Sequence, residues 1–583
     1  MNGTSGGADR RDIRNYLGRE LLLADGSTGT ALQALLPEAA ERVPLLPLER
    51  PDLIEELHRG YFAAGSDIVE TATFTASAEG LARFAGGEAP AGFAYRVNRA
   101  AAEAAVRAAR EAEAAGGAGR PKWVAGSMGP GGGLPSMGFS SWVELRDSYL
   151  PQARGLADGG VDFAIVETSQ DPLQVKAALA ALAHPDGGRG LRAIVSATVE
   201  SGGRLLAGTS PAAFAAIIAP FEPLAVGMNC SGGPEELARP FAELAEHSPF
   251  PLCFMPNAGL PLQDGGRTRW PLGPEDFAAK TEAIARRHGA AIVGGCCGTG
   301  VEHIRALARR LADRPRPEAR PPRRAALASL YELKAIGSGP FAIGAGADAS
   351  LSPRFAALLD SGDFDALADA ALEAEASGVG AVRLRLARPG RSEAEDLREA
   401  VSHIAQRARA ALCLDTGDPE AAAAALPFAS GRVLLRMSDL SDPVRARRVF
   451  DLAREHGAAV ACPAAGPGGL ASSAAESAAI CSALYLTATR DCGLRPDALF
   501  LELPAVSAAD GPEGAFADRL TWIAAVKAAC PGALVLLDLR AATAALPESE
   551  RPALAAACLG LAGAAGLDAA IVGGEHGAKH DAR

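Results

Sequence analysis

Ile292-Val293-Gly294-Gly295-Cys296-Cys297-Gly298-Thr299 reads as a short apolar strand that runs out into two adjacent cysteines and a glycine turn. Upstream, Ala225-Val226-Gly227-Met228-Asn229-Cys230 has the same form, apolar and ending in cysteine. Strand-length apolar runs of this kind recur through the N-terminal half, at Leu21–Asp25, Ile68–Thr73, Trp123–Ser127, Phe163–Thr168, Ala193–Thr198, Ala225–Cys230, Pro251–Pro256 and Ala291–Cys296. Their hydrophobicity is continuous, not alternating, as expected of parallel strands covered on both faces. Segments with helical spacing lie between them, among them Pro51–Ala64, Tyr95–Ala114, Ser141–Ala157 and Pro211–Ala219. This regular alternation predicts an α/β fold, a (β/α)8 TIM barrel over residues 15–312. An open doubly wound sheet is the alternative, and it seldom needs so many regular units.

In such a barrel the site is built at the C-terminal ends of the strands. Those ends here carry Asp25-Gly26-Ser27-Thr28-Gly29-Thr30, Glu70-Thr71-Ala72-Thr73-Phe74, Gly126-Ser127-Met128, Glu167-Thr168, Asn229-Cys230, Pro256-Asn257-Ala258-Gly259 and Gly295-Cys296-Cys297. Acids at the ends of apolar strands are costly to bury unless they bind something. Any one of them could be a helix cap or an inter-strand tie; a whole set on one barrel face is harder to explain that way.

Composition narrows the rest. A hydrophobic content of 48% with 22% charged residues is that of a globular protein, and 583 residues exceed one ordinary core. The net charge of −12 argues against a nucleic-acid partner, which would require concentrated Lys and Arg. No run approaches the roughly 20 apolar residues of a membrane span. Residues 1–14 are polar and glycine-rich, with no apolar secretion signal, and are expected to be disordered. Ten cysteines are ordinary usage at this length; with several in apolar runs, they point to buried reduced thiols and a cytoplasmic setting.

Cys296 and Cys297 are neighbours, and neighbours do not form an unstrained disulfide. At a strand end the backbone can turn and direct both sulfurs inward, where Cys230, two strands away, completes a trigonal cap. That is the open Zn2+ geometry, with three thiolates at about 2.3 Å and one free position. Three thiolates leave the metal electron-rich, a poor generator of hydroxide but a good holder of a fourth sulfur. A free thiol with a pKa of about 8.5 is mostly protonated at neutral pH. The expected chemistry is therefore alkyl transfer to a thiol.

Residues 15–312 resemble the homocysteine S-methyltransferase family, which includes the homocysteine module of cobalamin-dependent methionine synthase. The matching motifs are the Asp25–Thr30 loop, Pro51–Tyr61 leading into Ala64–Thr71, Asn229-Cys230 and Gly294–Thr299. The resemblance implies that Cys230, Cys296 and Cys297 bind zinc and that Asp25 and Glu167 anchor the homocysteine amino group. Backbone amides around Gly26 and Ser127 would receive its carboxylate, with Glu70 and Asn229 in the same substrate-binding set. Asn257 is either a fourth zinc ligand before substrate arrives or a turn residue in its Pro/Gly loop. Ser27 stands where glycine or alanine is usual, a small departure.

Residues 313–329 are read as a linker. Arg314–Arg324 alone holds four prolines and five arginines, and it should act as a semi-rigid spacer. Its arginines read as solvated charge, with an acidic partner as the alternative. The strand rhythm then restarts at Phe341–Gly344, Ala381–Leu386, Ala411–Asp415, Val433–Met437, Ala458–Cys462, Ala498–Leu503, Ala533–Asp538 and Ala569–Gly573, predicting a second barrel in tandem over residues 330–575 and a tail at 576–583. The order of domains and the Leu414-Asp415-Thr416 strand end resemble the pterin-binding (methyltetrahydrofolate) module of methionine synthases. Asp415 keeps the family's strand-end acid, and Asp348, Glu502, Asp538 and Arg540 would stand in for the other usual Asp and Asn residues. Strand two, Val382-Arg383-Leu384-Arg385-Leu386, lacks the acidic pair, so the second barrel reads as divergent or repurposed.

The expected function is zinc-dependent methyl transfer to homocysteine, forming methionine, an enzyme of class EC 2.1.1. No cobalamin-binding module is expected within the chain, so methylcobalamin would arrive free or on a separate corrinoid protein. An S-methylmethionine or betaine-type donor used directly is the alternative, and methyltetrahydrofolate stays open. From another class, the chain could be a methyl-transfer scaffold or corrinoid-protein partner whose second barrel no longer binds folate.

Overall fold

The computed structural model describes residues 11–36, 42–116, 120–264, 267–505, 512–540, 547 and 549–573 of the chain. The chain divides into two compact units, Met1–Ala215 with Glu222–Pro322 and Ala216–Phe221 with Arg323–Arg583. Each unit is an eight-stranded parallel α/β barrel.

In the first unit the strands are Leu22–Leu23 (β1), Ile68–Glu70 (β2), Trp123–Met128 (β3), Phe163–Ser169 (β4), Ala193–Ala197 (β5), Ala225–Cys230 (β6), Leu252–Pro256 (β7) and Ile292–Val293 (β8). They hydrogen-bond in the order β1-β8-β7-β6-β5-β4-β3-β2. The seam between β1 and β2 is closed partly by a side chain. The Asp67 N–H donates to the Leu23 carbonyl at 2.7 Å, and the Asp67 carboxylate accepts the Leu23 N–H at 2.9 Å. Asp67 is buried and paired with Arg120 and Arg314, so the charge is compensated where it closes the ladder.

The barrel interior below the mouth is apolar, with Trp123, Phe163, Ile165, Ile194, Met255 and Ile292 packed together. Each such side chain contributes about 1.5–3 kcal/mol on burial. Ile13 and Leu17 plug the floor, and Tyr16 meets the Trp123 ring edge-on at 4.9 Å between centroids. The Trp123 indole N–H donates to the Arg11 carbonyl at 2.7 Å. Residues 11–14, expected within a disordered N-terminus, are thus ordered: Asp12 caps a short helix Ile13–Asn15 and Ile13 is buried. Residues 1–10 and the expected tail at 576–583 lie outside the described residues.

Helices begin where local chemistry satisfies their first N–H groups. Ser141 caps Trp142–Gly159, and Asp171 caps Pro172–Ala183 with proline at the first position. Gly65, at φ +115°, ends Pro51–Ala64 in the left-handed conformation.

The second unit is a closed barrel of Phe341–Asp348 (β9), Ala381–Arg385 (β10), Ala411–Thr416 (β11), Leu434–Met437 (β12), Ala459–Pro463 (β13), Leu499–Leu503 (β14), Leu534–Asp538 (β15) and Ala569–Val572 (β16). Its floor is covered by a hairpin, Ala326–Ala328 with Leu333–Ala335, whose Leu327 joins the inner core. That hairpin takes in residues 326–328, which sequence reading assigned to the linker.

The arginine-rich stretch has neither helix nor strand, but its charges are not all solvated. Arg314 reaches Asp67 and the Leu21 carbonyl, and Arg320 donates to the carbonyls of Ala245, Ser248 and His288. Free carbonyls at helix and loop ends of the first unit draw these guanidinium groups down. No helix among the described residues is long and apolar enough to cross a membrane.

Candidate active site

The metal-ligating residues sit where two strands of the first barrel depart from ideal geometry. Cys230, the last residue of β6, has φ +60°, and Ser231 follows at +64°. Non-glycine residues in this region cost about 1–3 kcal/mol each and persist only where surrounding bonds enforce them. Here the Ser231 hydroxyl pairs with Thr198 Oγ1 at 2.6 Å and accepts the Val199 N–H at 2.7 Å. The turn carries the Cys230 sulfur inward to face Cys297.

β8 is only two residues long because Gly294 and Gly295 leave the ladder. The chain stays tied to both neighbours. Gly295 N–H donates to Asp25 O at 3.0 Å, Cys296 N–H to Pro256 O at 2.8 Å, and Thr299 Oγ1 to Cys296 O at 2.6 Å. Gly298, at φ +79°, leaves no room for a side chain, since a Cβ there would lie 2.1 Å from the Trp270 ring. The result directs both cysteines to one side.

The sulfurs of Cys230, Cys296 and Cys297 all lie within 4.8 Å of one another, Cys230 and Cys297 at 4.0 Å, and all three are free thiols. Hydrogen bonds from the Cys296 and Cys297 thiols push Cys230 down to about 3. The same contact with Cys230 pushes Cys297 up to about 12, and Cys296 up as well. The protein alone therefore favours one thiolate here; three at this spacing require a cation among them. Asn257 is buried beside them, with its side-chain amide hydrogen-bonded to Cys230 and its Oδ1 without a partner. Three convergent sulfurs and an orphaned carbonyl oxygen fit a tetrahedral Zn2+.

Next to the sulfurs lies a layer of acids. Glu167, near the end of β4, accepts the Ser127 hydroxyl at 2.5 Å and the Asn229 side-chain amide at 3.2 Å. Asp25 accepts the Glu70 N–H at 2.9 Å. Burial raises the pKa of Asp25, Glu70 and Glu167, and mutual repulsion raises Asp25 and Glu70 further. Such a cluster favours a cationic ligand, which would relieve both effects. Asn229 ties the two layers together: its amide also reaches Thr168 Oγ1 at 2.8 Å and Cys296 Sγ at 3.7 Å, while its Oδ1 accepts from Ser196 at 2.7 Å.

A cavity of about 520 Å³ opens above both layers, lined among others by Gly26, Glu70, Ser127, Glu167 and the three cysteines. Asp25 and Asn229 are fully buried and reach it through Glu70 and Glu167. The Ser127 N–H donates to Thr71 Oγ1 at 3.0 Å and its hydroxyl to Glu167, so Ser127 braces Glu167. Sequence reading passed over that brace: Thr71 and Thr73 share a hydrogen bond at 2.6 Å, Thr73 donates to Ser127 O at 2.7 Å, and Gln152 donates to Thr73 O at 2.9 Å. Thr71 and Thr73 lie in the turn after β2, where the Thr73 N–H donates to Thr71 O at 2.8 Å, and this Thr-Ala-Thr spacing at a strand end was the available signal. Phe74 and Arg83 also line the cavity and were not among the expected site residues.

In the second unit Asp348, Asp415, Glu502 and Asp538 are buried at strand ends, as expected, but arginines hold them. Arg383 bonds Asp348 and Asp415; Arg436 bonds Asp415 and Glu502; Arg540 bonds Asp538.

A trithiol centre beside unneutralised acids, at the C-terminal mouth of a (β/α)8 barrel, defines a thiol-handling barrel. The first unit belongs to the homocysteine S-methyltransferase family, which residues 22–311 match. The methionine synthase of Mycobacterium tuberculosis is 30% identical over 581 residues, 96% of this chain and 48% of that protein. The methionine synthase of Mycobacterium leprae is 30% identical over 585 residues, with the same coverage. The chain thus spans about half the length of the curated relatives it matches. The metallated crystal form of the homocysteine methyltransferase MmuM from Escherichia coli is 28% identical, with a TM-score of 0.43, covering 51% of this chain and 99% of that one.

Proposed function

We propose that the first barrel transfers a methyl group to the thiol of homocysteine, forming methionine, as a homocysteine S-methyltransferase of class EC 2.1.1. The observation that carries this reading is the joining of three sulfurs within 4.8 Å to three buried acids around one cavity. Cys230, Cys296 and Cys297 would hold Zn2+, with Asn257 as a fourth ligand until substrate arrives. Zn2+ held there would lower the pKa of a substrate thiol and make its sulfur nucleophilic at neutral pH. The acids do the rest of the recognition. Glu167, held by Ser127 and Asn229, receives the substrate ammonium with Glu70 and Asp25 behind it, and the Gly26 loop receives the carboxylate. The thiol proton leaves to solvent, the thiolate attacks the donor methyl in line, and the donor departs with its bonding pair.

The cavity exceeds what homocysteine fills and leaves room above the sulfur for a donor methyl. Methylcobalamin, free or on a separate corrinoid protein, is the candidate donor, with S-methylmethionine or a betaine-type donor as the second. Free thiols throughout the described residues suit a reducing, cytoplasmic setting.

A donor screen tests the reading. Purified protein is expected to hold about one zinc per chain and to form methionine from homocysteine with at least one of these donors. Cys296→Ser is expected to lose both the metal and the product. Full zinc occupancy in that variant would overturn the site, and a zinc-loaded protein inert with every donor would overturn the activity.

A further inference from the structure

The second barrel carries its polar residues where a barrel places a ligand site, and the ligand its family resemblance implies is methyltetrahydrofolate. We infer that these residues are committed to the barrel's own arginines, leaving the described residues of the C-terminal mouth without a site for that pterin.

The hydrogen-bonding edge of a pterin is a cyclic guanidine, an N–C(NH2)=N array that a carboxylate accepts at two points, as it accepts arginine. In this barrel that place is taken from within. Arg383, on β10 and 1% exposed, donates from Nη1 to Asp348 Oδ2 at 2.9 Å and from Nε to Asp415 Oδ2. The other Asp348 oxygen accepts the N–H and hydroxyl of Ser350 at 2.9 and 2.5 Å. Arg436, on β12, takes both oxygens of Glu502 at 2.8 and 2.5 Å and reaches Asp415 Oδ2 at 2.8 Å. Arg540 takes both oxygens of Asp538, with Nη2 at 2.6 Å from Oδ2 and Nε at 3.0 Å from Oδ1.

One oxygen of these carboxylates, Asp415 Oδ1, is buried without a partner. A single acceptor cannot receive a two-point guanidine edge. To enter, a neutral pterin would have to displace charge-assisted bonds and strand a buried guanidinium, which is strongly unfavourable. Arg383 therefore acts as a tethered guanidine in the barrel's own site.

Titration of the full chain with 5-methyltetrahydrofolate tests this without any variant. No saturable binding is expected up to about 1 mM. Micromolar binding that Asp415→Asn weakens tenfold or more would overturn the inference. Arg383→Ala supplies the positive arm. Where the variant folds, judged by its circular dichroism, methylguanidinium at about 10 mM is expected to raise its melting temperature and leave the wild type unmoved. A folded variant that ignores methylguanidinium would refute the tethered-guanidine role. Neither arm depends on the first barrel, since homocysteine methylation from another donor is read separately.

Discussion

Both barrels place acids at the C-terminal ends of their strands and treat them in opposite ways. In the first, Asp25, Glu70 and Glu167 press on one another, and hydroxyls, amides and backbone N–H groups brace them. In the second, Asp348, Asp415, Glu502 and Asp538 are answered by Arg383, Arg436 and Arg540. Unmet charge is a functional arrangement: it destabilises the empty protein and is relieved when a cationic ligand binds. Met charge is a structural one. A fold shared by both units does not decide between them; the residues facing the acids do.

The largest predicted effect lies in the second mouth. Arg436 is nearly buried and holds Glu502 at two points and Asp415 at a third. Removing it leaves the buried Glu502 carboxylate unpaired and Asp415 with one arginine bond fewer, so Arg436→Ala is expected to cost about 3–5 kcal/mol of unfolding free energy. Urea unfolding followed by circular dichroism measures it. A loss below about 1 kcal/mol would mean that the network is loosely solvated and that the contrast between the mouths is overdrawn.

The second prediction concerns the first mouth and is read in kinetics. Glu167→Gln keeps the shape and one acceptor oxygen for the Asn229 amide, with the Ser127 hydroxyl turned to accept from the new NH2, but removes the charge offered to a substrate ammonium. The expected loss is about 2–3 kcal/mol in kcat/KM for homocysteine, roughly 30–150-fold, with unfolding stability unchanged or improved. The corresponding Glu502→Gln in the second barrel should leave kcat/KM untouched and lower stability. If Glu167→Gln were kinetically silent, the acid layer would not be a substrate clamp.

How much of this was legible in sequence follows the same divide. The strands of both barrels could be placed because a covered parallel strand is a continuous apolar run, and β1, β2 and β8 came out at half the read length or less. The cysteines could be brought together because strand-end position determines which residues share a mouth. What sequence could not show was each acid's partner. Arg383 lies in an apolar strand as if it were an intruder, and only the structure shows it between Asp348 and Asp415. Ser127 looked like a free strand-end amide; the hydroxyl of Thr71, in the turn after β2, takes its N–H. Arg314 and Arg320 read as spacer charge because the carbonyls they cap come from distant parts of the chain. Pairings across a barrel depend on long-range contacts, which local patterning does not encode.

The smallest predicted effect isolates unmet charge itself. Glu70 lines the cavity, hydrogen-bonds Glu167 and has its pKa raised by burial first and by Glu167 and Asp25 next. A carboxyl whose folded pKa is raised contributes its full stability below the unfolded value of about 4.3 and loses it as pH rises through the folded value. The empty first barrel should therefore weaken between acid and mildly alkaline pH. Glu70→Gln removes that dependence at one position, so the variant is expected to gain about 1 kcal/mol over wild type at pH 8, roughly 2–4 °C in melting temperature, and nothing at pH 4. Homocysteine supplies an ammonium that offsets the same charge, so at pH 8 it should raise the melting temperature of wild type more than that of the variant. Equal shifts in the two proteins would show that Glu70 is already neutralised before substrate arrives, and that the first mouth resembles the second more closely than its geometry indicates.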